Sequence, residues 1–223
     1  MSHSRAPRGL LLTAGALAAA LALTACSGSP TGTSGGGGNT NFVTNVDGVA
    51  TIPKGERPTP KLAGETLDGD RLDVADLKGK VVVLNLWGDW CNPCRAEAPH
   101  FVKVAGDLKP QGVEFVGINT RSKKLSSIKF EKDFKVPYPS LYDPYGKLVL
   151  NGFPKGAVQP QAIPSTLVLD RDGKIAARTL KAVSEKELRA MIAPVLAEQP
   201  QAGKSAARKA DGQKMGAQKA DGQ

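Results

Sequence analysis

Two cysteines that lie close together are the residues of this chain most able to do chemistry. The stretch WGDWCNPCRAE, residues 87–97, holds Cys91 and Cys94, two of the three cysteines among 223 residues. Such a pair can be a redox dithiol, part of a metal site, or a short structural disulfide. The elements that position the two thiols must distinguish these possibilities.

The flanking segments predict that Cys91 follows a buried strand and opens a helix. Residues 80–86, KVVVLNL, are apolar and β-branched, which is typical of a buried strand. A helix is expected from about Cys91 to Lys109, with a kink near Pro99. Free N–H groups and the dipole at a helix start stabilise a thiolate, so Cys91 is expected to be activated and exposed. Cys94, one turn later on the same face, can attack a mixed disulfide formed at Cys91.

The rest of the middle segment alternates strands and helices, which predicts an α/β fold with helices on both faces of the sheet. The turn-like LDGD within residues 62–77 indicates an added N-terminal β-hairpin. The other expected elements are a buried strand at 112–119, a polar helix at 122–135, two hairpin strands at 165–170 and 174–180, and a helix at 184–196 with a Ser184–Glu187 cap.

Two motifs resemble those of one known branch of proteins. W-C-x-P-C-R-x-E-x-P, here residues 90–99, is the active-site pattern of the extracytoplasmic TlpA/ResA/CcmG branch of the thioredoxin-like superfamily. AIPSTLVLDRDGKI, residues 162–175, is similar to the segment whose cis-proline faces the active site, which assigns a cis bond to Ile163–Pro164. The resemblance covers roughly residues 48–198 and implies a thioredoxin-like fold with a mixed central sheet flanked by helices.

The resemblance also implies the activity and its residues. It predicts a thiol-disulfide oxidoreductase in which Cys91 and Cys94 are catalytic and form the redox disulfide. Trp90 is expected to wall the cleft. Asn92 and Pro93, between the cysteines, help to set the reduction potential, and Pro93 suits the first turn of a helix because it lacks an N–H. No cofactor is implied.

One position departs from thioredoxin itself. Six residues before Cys91, thioredoxin has a buried Asp that assists proton transfer, and this chain has Asn85, which cannot titrate. Glu97 is the nearest remaining acid and shares a helix face with Cys94. We therefore hypothesise that Glu97 aids the deprotonation of Cys94. The alternative is a solvated or ion-paired helix glutamate.

The N-terminus predicts export and a lipid anchor. A positively charged start precedes an apolar run at residues 10–25, which is too short for a transmembrane helix and typical of a signal peptide. LTAC, residues 23–26, resembles the lipobox of bacterial lipoproteins. The resemblance implies cleavage after residue 25, lipidation of Cys26, and attachment to the extracytoplasmic side of the cell membrane.

The segments around the folded domain predict a tether and a tail. Residues 26–47 are rich in Gly and Ser and indicate a flexible linker, and residues 199–223 lack the apolar residues that a core needs, which indicates disorder. Of the net charge of +9, Arg5 and Arg8 contribute +2 and the tail contributes +3. The +4 left for residues 48–198 does not indicate a nucleic-acid-binding protein.

The alternatives for the cysteine pair are weaker. Zinc needs three or four protein ligands, and once Cys26 is lipidated and the signal peptide is removed only Cys91, Cys94 and His100 remain as cysteine or histidine ligands, so no metal is expected. A disulfide that closes a loop of four residues contributes only about 2 kcal/mol, too little to be a needed staple. Peroxiredoxins share the fold, and they resemble one another in having a Thr or Ser three residues before the reactive cysteine. This chain has Gly88 at that position, which argues against a peroxidase. A binding lipoprotein without turnover stays an alternative.

The direction of electron flow stays open at this point. The resemblance favours a reductant of protein thiol/disulfide clients, for example apocytochrome c before haem attachment, recharged by a membrane electron donor of the dithiol-relay type. A dithiol oxidase in disulfide formation is the alternative. Residues 151–161 are longer than the family minimum before the cis-proline, and they either shape a partner groove or form an ordinary loop.

Overall fold

A mixed β-sheet is the centre of the computed structural model, which describes residues 42–45 and 47–198. Within these residues the strands are β1 (Val43–Thr44), β2 (Ala50–Thr51), β3 (Ala63–Glu65), β4 (Arg71–Asp73), β5 (Val81–Trp87), β6 (Val113–Thr120), β7 (Ser140–Asp143), β8 (Ser165–Leu169) and β9 (Ile175–Thr179). The α-helices are α1 (Asn92–Leu108), α2 (Lys124–Phe134), α3 (Lys147–Asn151) and α4 (Glu185–Ala197).

The main sheet has the strand order β1-β2-β9-β8-β5-β6-β7. Strands β5, β6 and β7 are parallel, because helices α1 and α2 carry the chain back between them. Strand β8 pairs with β5 in the antiparallel sense, and β9, β2 and β1 continue antiparallel. This confirms the predicted α/β, thioredoxin-like fold with a mixed central sheet.

Apolar side chains cover both faces of the sheet, which is why all seven residues of β5 are buried. Val81 and Val83 point to the face covered by α1 and α4, where Phe101 and Leu188 pack. Residues 82, 84 and 86 point to the opposite face, against α3 and the N-terminal segments. The central strand is therefore rigidly held, and it ends directly before the cysteine pair.

The predicted N-terminal hairpin is present as β3 and β4, which form a separate two-stranded sheet. Gly69 at its turn has a φ of 95°, which a glycine adopts without strain. Thr66 forms a bridge to Leu141 of β7, and the Leu67 N–H donates to the Ser140 carbonyl. The hairpin thereby covers the edge of the main sheet.

The expected elements were found with shifts of a few residues, and the Ser184–Glu187 capping box is formed. Helix α1 continues through Pro99 and ends at Leu108. Four elements were not predicted: β1, β2, β7 and α3. Each has five residues or fewer, which is too short to show a hydrophobic period.

The expected boundary at residue 48 needs a correction, because the folded part begins earlier. Val43–Thr44 pairs with β2, and Phe42 is buried beneath the guanidinium of Arg178, 3.8 Å from the ring centroid. Phe42 is the one aromatic residue of the expected linker, and its burial brings the end of the linker onto the sheet.

The predicted signal peptide (1–25), the tail (199–223) and the lipid attachment residue Cys26 lie outside the described residues. Within the described ranges, the helices are all too short or too polar to cross a membrane.

Candidate functional site

Cys91 and Cys94 form a disulfide at the point where β5 ends and α1 begins. Their sulfur atoms are 2.08 Å apart and their Cα atoms 5.3 Å apart. Cys91 is the N-cap residue of α1, and its Sγ accepts a hydrogen bond from the Cys94 N–H over 3.2 Å. A sulfur in this position receives both the hydrogen bond and the positive end of the helix dipole. A thiolate at Cys91 would be stabilised by the same two effects.

The expectation that Cys91 is exposed is wrong for this oxidised state. Cys91 and Cys94 are 3% and 2% exposed, whereas Asn92 and Pro93 between them are exposed. The disulfide holds Cys91 within an apolar cluster that also contains Trp87. The Cys91 sulfur is therefore almost completely covered in the disulfide form.

The cis-proline segment lies at the same end of the sheet. The Ile163–Pro164 peptide bond is cis, as expected from the motif. Ser165, the next residue, pairs with Leu86 near the end of β5. Ile163 packs against the apolar cluster that contains both cysteines. The backbone before Pro164 therefore forms one side of the approach to the disulfide.

Glu97, three residues after Cys94 on α1, is buried, and none of the cations among the described residues forms an ion pair with it. It is only 2% exposed. Its Oε1 accepts from the Asn85 side-chain amide over 2.9 Å, and its Oε2 accepts from the Val183 N–H over 3.1 Å. Burial raises the pKa of Glu97 to about 7, although both hydrogen bonds act in the opposite direction. Glu97 can therefore gain or lose a proton near neutral pH.

A small cavity connects Asn85 with Cys94. Its volume is about 10 Å³, near the minimum for one water molecule. The lining residues are Asn85, Trp87, Cys94, Ala98, Phe130, Val136 and Tyr138. Burial raises the pKa of Tyr138, and the carboxyl groups of Glu97 and Glu131 raise it further. Asn85 thus lines a cavity beside Cys94 and also donates to the carboxyl of Glu97.

The two tryptophans have different positions. Trp87 is 4% exposed, donates through Nε1 to Ser140 Oγ over 3.2 Å, and packs on Phe130 with 4.5 Å between ring centroids. Trp90 is 49% exposed, and its Nε1 donates to the Arg121 carbonyl over 3.0 Å. Trp87 therefore supports the site from inside, and Trp90 stands at its edge.

Three residues of the site were not predicted from the sequence: Arg121, Tyr138 and Phe130. The Arg121 guanidinium lies 5.1 Å from the Trp90 ring centroid, and its Nη2 donates to the Pro160 carbonyl over 3.1 Å. The signal that could have found Arg121 is its place directly after β6, since the carboxyl ends of parallel strands meet at one edge of a sheet.

Comparisons with known proteins agree with this geometry. The AhpC/TSA family matches residues 56–178. The thiol-disulfide oxidoreductase ResA of Bacillus subtilis is 34% identical over 128 residues, which is 57% of this chain and 68% of that protein. A DsbF homologue from Corynebacterium diphtheriae superposes with a TM-score of 0.61 at 37% identity, covering 66% of this chain and 92% of that one.

A secreted thiol-disulfide isomerase from Corynebacterium glutamicum has a similar structure, with a TM-score of 0.63 and 30% identity over 68% of this chain and 93% of that one. The region that the family matches includes the two cysteines, the helix they open, and the strands that position them. The chain therefore belongs to the AhpC/TSA family and is a thioredoxin-like thiol-disulfide oxidoreductase.

Proposed function

We propose that this chain is a membrane-tethered, extracytoplasmic reductant of client disulfides, with Cys91 as the attacking thiol and Cys94 as the resolving thiol. The observation that carries the proposal is the Cys91–Cys94 pair at the start of α1, with Cys91 as the N-cap residue and the cis-proline at the same sheet edge. The lipobox-like LTAC and the secreted relative support the location.

The reaction transfers two electrons from the dithiol to the client. The Cys91 thiolate attacks one sulfur of the client disulfide, which forms a Cys91–client disulfide and releases the other client sulfur as a thiolate. The Cys94 thiolate then attacks the Cys91 sulfur. This step forms the Cys91–Cys94 disulfide and releases the second client thiolate. A dithiol-relay donor in the membrane returns two electrons and restores the Cys91–Cys94 dithiol.

Glu97 serves the second step in this proposal. Cys94 is buried, and burial disfavours a thiolate, so its proton needs an acceptor. The Glu97 carboxyl has a pKa of about 7 and hydrogen-bonds Asn85, which lines the cavity beside Cys94. A carboxylate with this pKa accepts a proton near neutral pH and gives it up again. The cavity has about the volume that one bridging water needs.

The client class follows from the location. Extracytoplasmic proteins with paired cysteines are exposed to oxidation, and some of them need free thiols for later chemistry. Apocytochrome c before haem attachment is one such client, by the resemblance to the ResA branch. Lipidation at Cys26 would keep the enzyme near its membrane donor.

A dithiol oxidase is the second candidate, and one observation favours it. The Cys94 N–H donates to Cys91 Sγ at the start of α1. A strongly stabilised Cys91 thiolate would stabilise the reduced form and make the disulfide a better oxidant. The reduction potential, measured against glutathione, separates the two. A reductant would lie near the thioredoxin value of about −270 mV, and a value near about −120 mV would overturn the reductant proposal.

The function itself is tested by trapping. A Cys94→Ser variant of the lipidated protein should accumulate Cys91-linked clients in cells, and mass spectrometry would identify them. The matched control is Cys91→Ser, which should trap none. If Cys94→Ser accumulates no disulfide-linked protein, or if Cys91→Ser accumulates the same ones, the mechanism is wrong.

A further inference from the structure

One arginine ties together three loops that surround the disulfide. The Arg121 guanidinium lies over the Trp90 ring, and its Nη2 donates to the Pro160 carbonyl. The backbone carbonyl of Arg121 accepts from Trp90 Nε1. Trp90 is adjacent to Cys91, and Pro160 lies three residues before Ile163 of the cis bond. Arg121 therefore stands between the two sides of the approach to Cys91.

The backbone of Arg121 is strained. Its φ is 53°, a left-handed conformation that costs a residue with a Cβ roughly 1–2 kcal/mol and that glycine adopts freely. Such outliers cluster where a side chain is needed in one place. A glycine would suit this backbone better, so the φ angle itself gives no structural reason for an arginine here.

The guanidinium of Arg121 has N–H groups that are not used in the hydrogen bond to Pro160. Of its five N–H groups, one bonds the Pro160 carbonyl, and none of the carboxylates in the described ranges pairs with it. Trp90 beneath it is half exposed, so the stack is open to an approaching chain. A guanidinium stacked on an aromatic ring keeps its edge free to bind a carboxylate through two parallel hydrogen bonds.

Two further exposed cations lie in the segments that flank Cys91 and Trp90. Arg95 is exposed in the first turn of α1 beside Cys94, and Lys123 is exposed next to Ser122, whose hydroxyl accepts from the Asp89 N–H. Within the described part of the chain neither cation has a carboxylate partner. Two of the nearby acids, Glu97 and Asp143, are buried, and Asp89 is half-buried with one of its two carboxylate oxygens fully covered.

We propose that Arg121, stacked on Trp90 beside Cys91, is a specificity-determining residue that selects client disulfides flanked by Asp or Glu. This inference rests on the proposed reduction of protein disulfides. The client segment lies across the exposed Trp90 face, its acidic side chain binds the free edge of the guanidinium, and its disulfide meets Cys91. Arg95 and Lys123 add long-range attraction that raises the encounter rate.

The test compares three cysteine peptides that differ only in the residues two positions on either side of the cysteine: Asp, Asn or Lys. Each peptide is activated as a disulfide with a neutral thiopyridyl leaving group, so the probe itself adds no charge. The reduced protein releases thiopyridone once per molecule, and the absorbance gives the second-order rate constant of this single turnover. We expect the Asp peptide to exceed the Lys peptide by about tenfold at low salt, which corresponds to about 1.4 kcal/mol.

Four substitutions separate charge from structure. Arg121→Glu should invert the preference between the Asp and Lys peptides, Arg121→Lys should retain most of it, and Arg121→Gly should remove most of it while relieving the backbone. The matched control is Lys135→Glu, because Lys135 is an exposed cation with a φ of 56° at the far end of α2. Its preference should equal that of the wild type. Raising the salt to about 0.5 M should shrink the wild-type preference.

The outcomes separate the reduction of disulfides from the role of Arg121. If the wild type fails to reduce even the Asn peptide, the proposed function fails. If it reduces all three peptides at similar rates, or if Arg121→Glu leaves the ratio of Asp to Lys rates unchanged, the proposed function stands and the role of Arg121 is refuted. A purely structural role would lower all three rates together without moving their ratio.

Discussion

The side-chain amide of Asn85 donates to Glu97 Oε1 over 2.9 Å, and both side chains are almost completely buried. Asn85 takes the position at which thioredoxin has a buried Asp. This chain therefore keeps an acid near the disulfide, but the acid comes from α1 rather than from β5. An amide beside the acid also avoids a second buried carboxylate, which would raise the pKa of both.

Glu97 should make the stability of the protein depend on pH. Its pKa is about 7 in the folded protein against 4.5 in the unfolded chain, so the folded state binds more protons between these values. Stability therefore falls as the pH rises through this window, by an amount on the order of 3 kcal/mol. Glu97→Gln should match the wild type within about 1 kcal/mol at pH 5 and exceed it by about 2–3 kcal/mol at pH 8.

Urea unfolding of the oxidised protein at pH 5 and pH 8 measures this difference. Glu131→Gln is the companion variant, because burial also raises the pKa of Glu131 to about 7. The same linkage predicts that it too gains stability relative to the wild type between pH 5 and pH 8. Equal unfolding free energies for wild type and Glu97→Gln at pH 8 would contradict the assigned pKa.

Glu97 should also shape the rate of the resolving step. If Glu97 takes the proton of Cys94, the rate at which Cys94 resolves a mixed disulfide on Cys91 should rise through a pKa near 7 in the wild type. Glu97→Gln should remove that rise and slow resolution by about 10–100-fold at pH 7.5, at the lower end of general-base contributions. Stopped-flow tryptophan fluorescence follows the step, because Trp87 packs in the same apolar cluster as both cysteines.

An unchanged pH profile in Glu97→Gln would refute the role of Glu97 in proton transfer. Glu131→Gln serves again as the matched variant, since Glu131 has a similar pKa but its hydrogen-bond partner is Ser140, whereas Glu97 is bonded by Asn85 beside Cys94. Its profile should keep the rise near pH 7.

The sequence predicted the site better than its surroundings. The spacing of Cys91 and Cys94 after an apolar β-branched run was enough to place both thiols at a helix start, because this geometry depends on neighbours in the chain. The partners of Glu97 could not be predicted, because Val183 is 86 residues away and contacts it only through the packing of α1 against α4. Burial of Cys91 was missed for the same reason, since the covering residues come from separate segments.

The edge strands of the sheet could not be predicted from the sequence either. Strands β1 and β2 have two residues each, and β7 has four, so none shows an alternating pattern. They form because a neighbouring strand offers unpaired N–H and C=O groups, which is a property of the assembled sheet. Arg121 could not be predicted for a similar reason, because its contacts with Trp90 and Pro160 exist only in the folded chain.

Gly88 should be needed for the position of Trp90. A Cβ at Gly88 would lie 2.6 Å from Trp90 Nε1 and 2.7 Å from its Cε2, so the indole would have to move. Gly88→Ala should therefore break the hydrogen bond from Trp90 to the Arg121 carbonyl and expose more of the indole. The fold should survive with a loss of about 1 kcal/mol, because Trp90 is half exposed and can turn outward.

Iodide quenching of tryptophan fluorescence measures the change, and it should increase in Gly88→Ala. Gly106→Ala is the matched control, because a Cβ there meets nothing within 4 Å and lies on an exposed turn of α1. That variant should quench like the wild type and gain up to about 1 kcal/mol from helix propensity. Unchanged quenching in Gly88→Ala would show that Trp90 does not need the glycine.

Arg57 should be essential for holding the end of α4 to the sheet. Its guanidinium donates to Asp170 Oδ2 over 3.0 Å and to both carboxylate oxygens of Glu198 over 2.6–2.7 Å. The hydrogen bonds to Glu198 are the largest cause that raises the pKa of Arg57. The Arg57 and Asp170 side chains are 7% and 5% exposed, so Arg57→Met would leave a buried carboxylate without its cation. We expect a loss of about 3–5 kcal/mol, measured by urea unfolding at pH 7.

Two further variants identify the cause. Lys129→Met removes an exposed pair with Asp133 four residues away on α2 and should cost at most about 0.5 kcal/mol. Asp170→Asn combined with Arg57→Met should recover part of the loss, because the asparagine side chain carries no charge and still has an oxygen to accept from the turn N–H groups of Asp172 and Lys174. If Arg57→Met alone is as stable as Lys129→Met, water must reach Asp170 once the guanidinium is gone. The buried ion pair would then contribute nothing to the docking of α4.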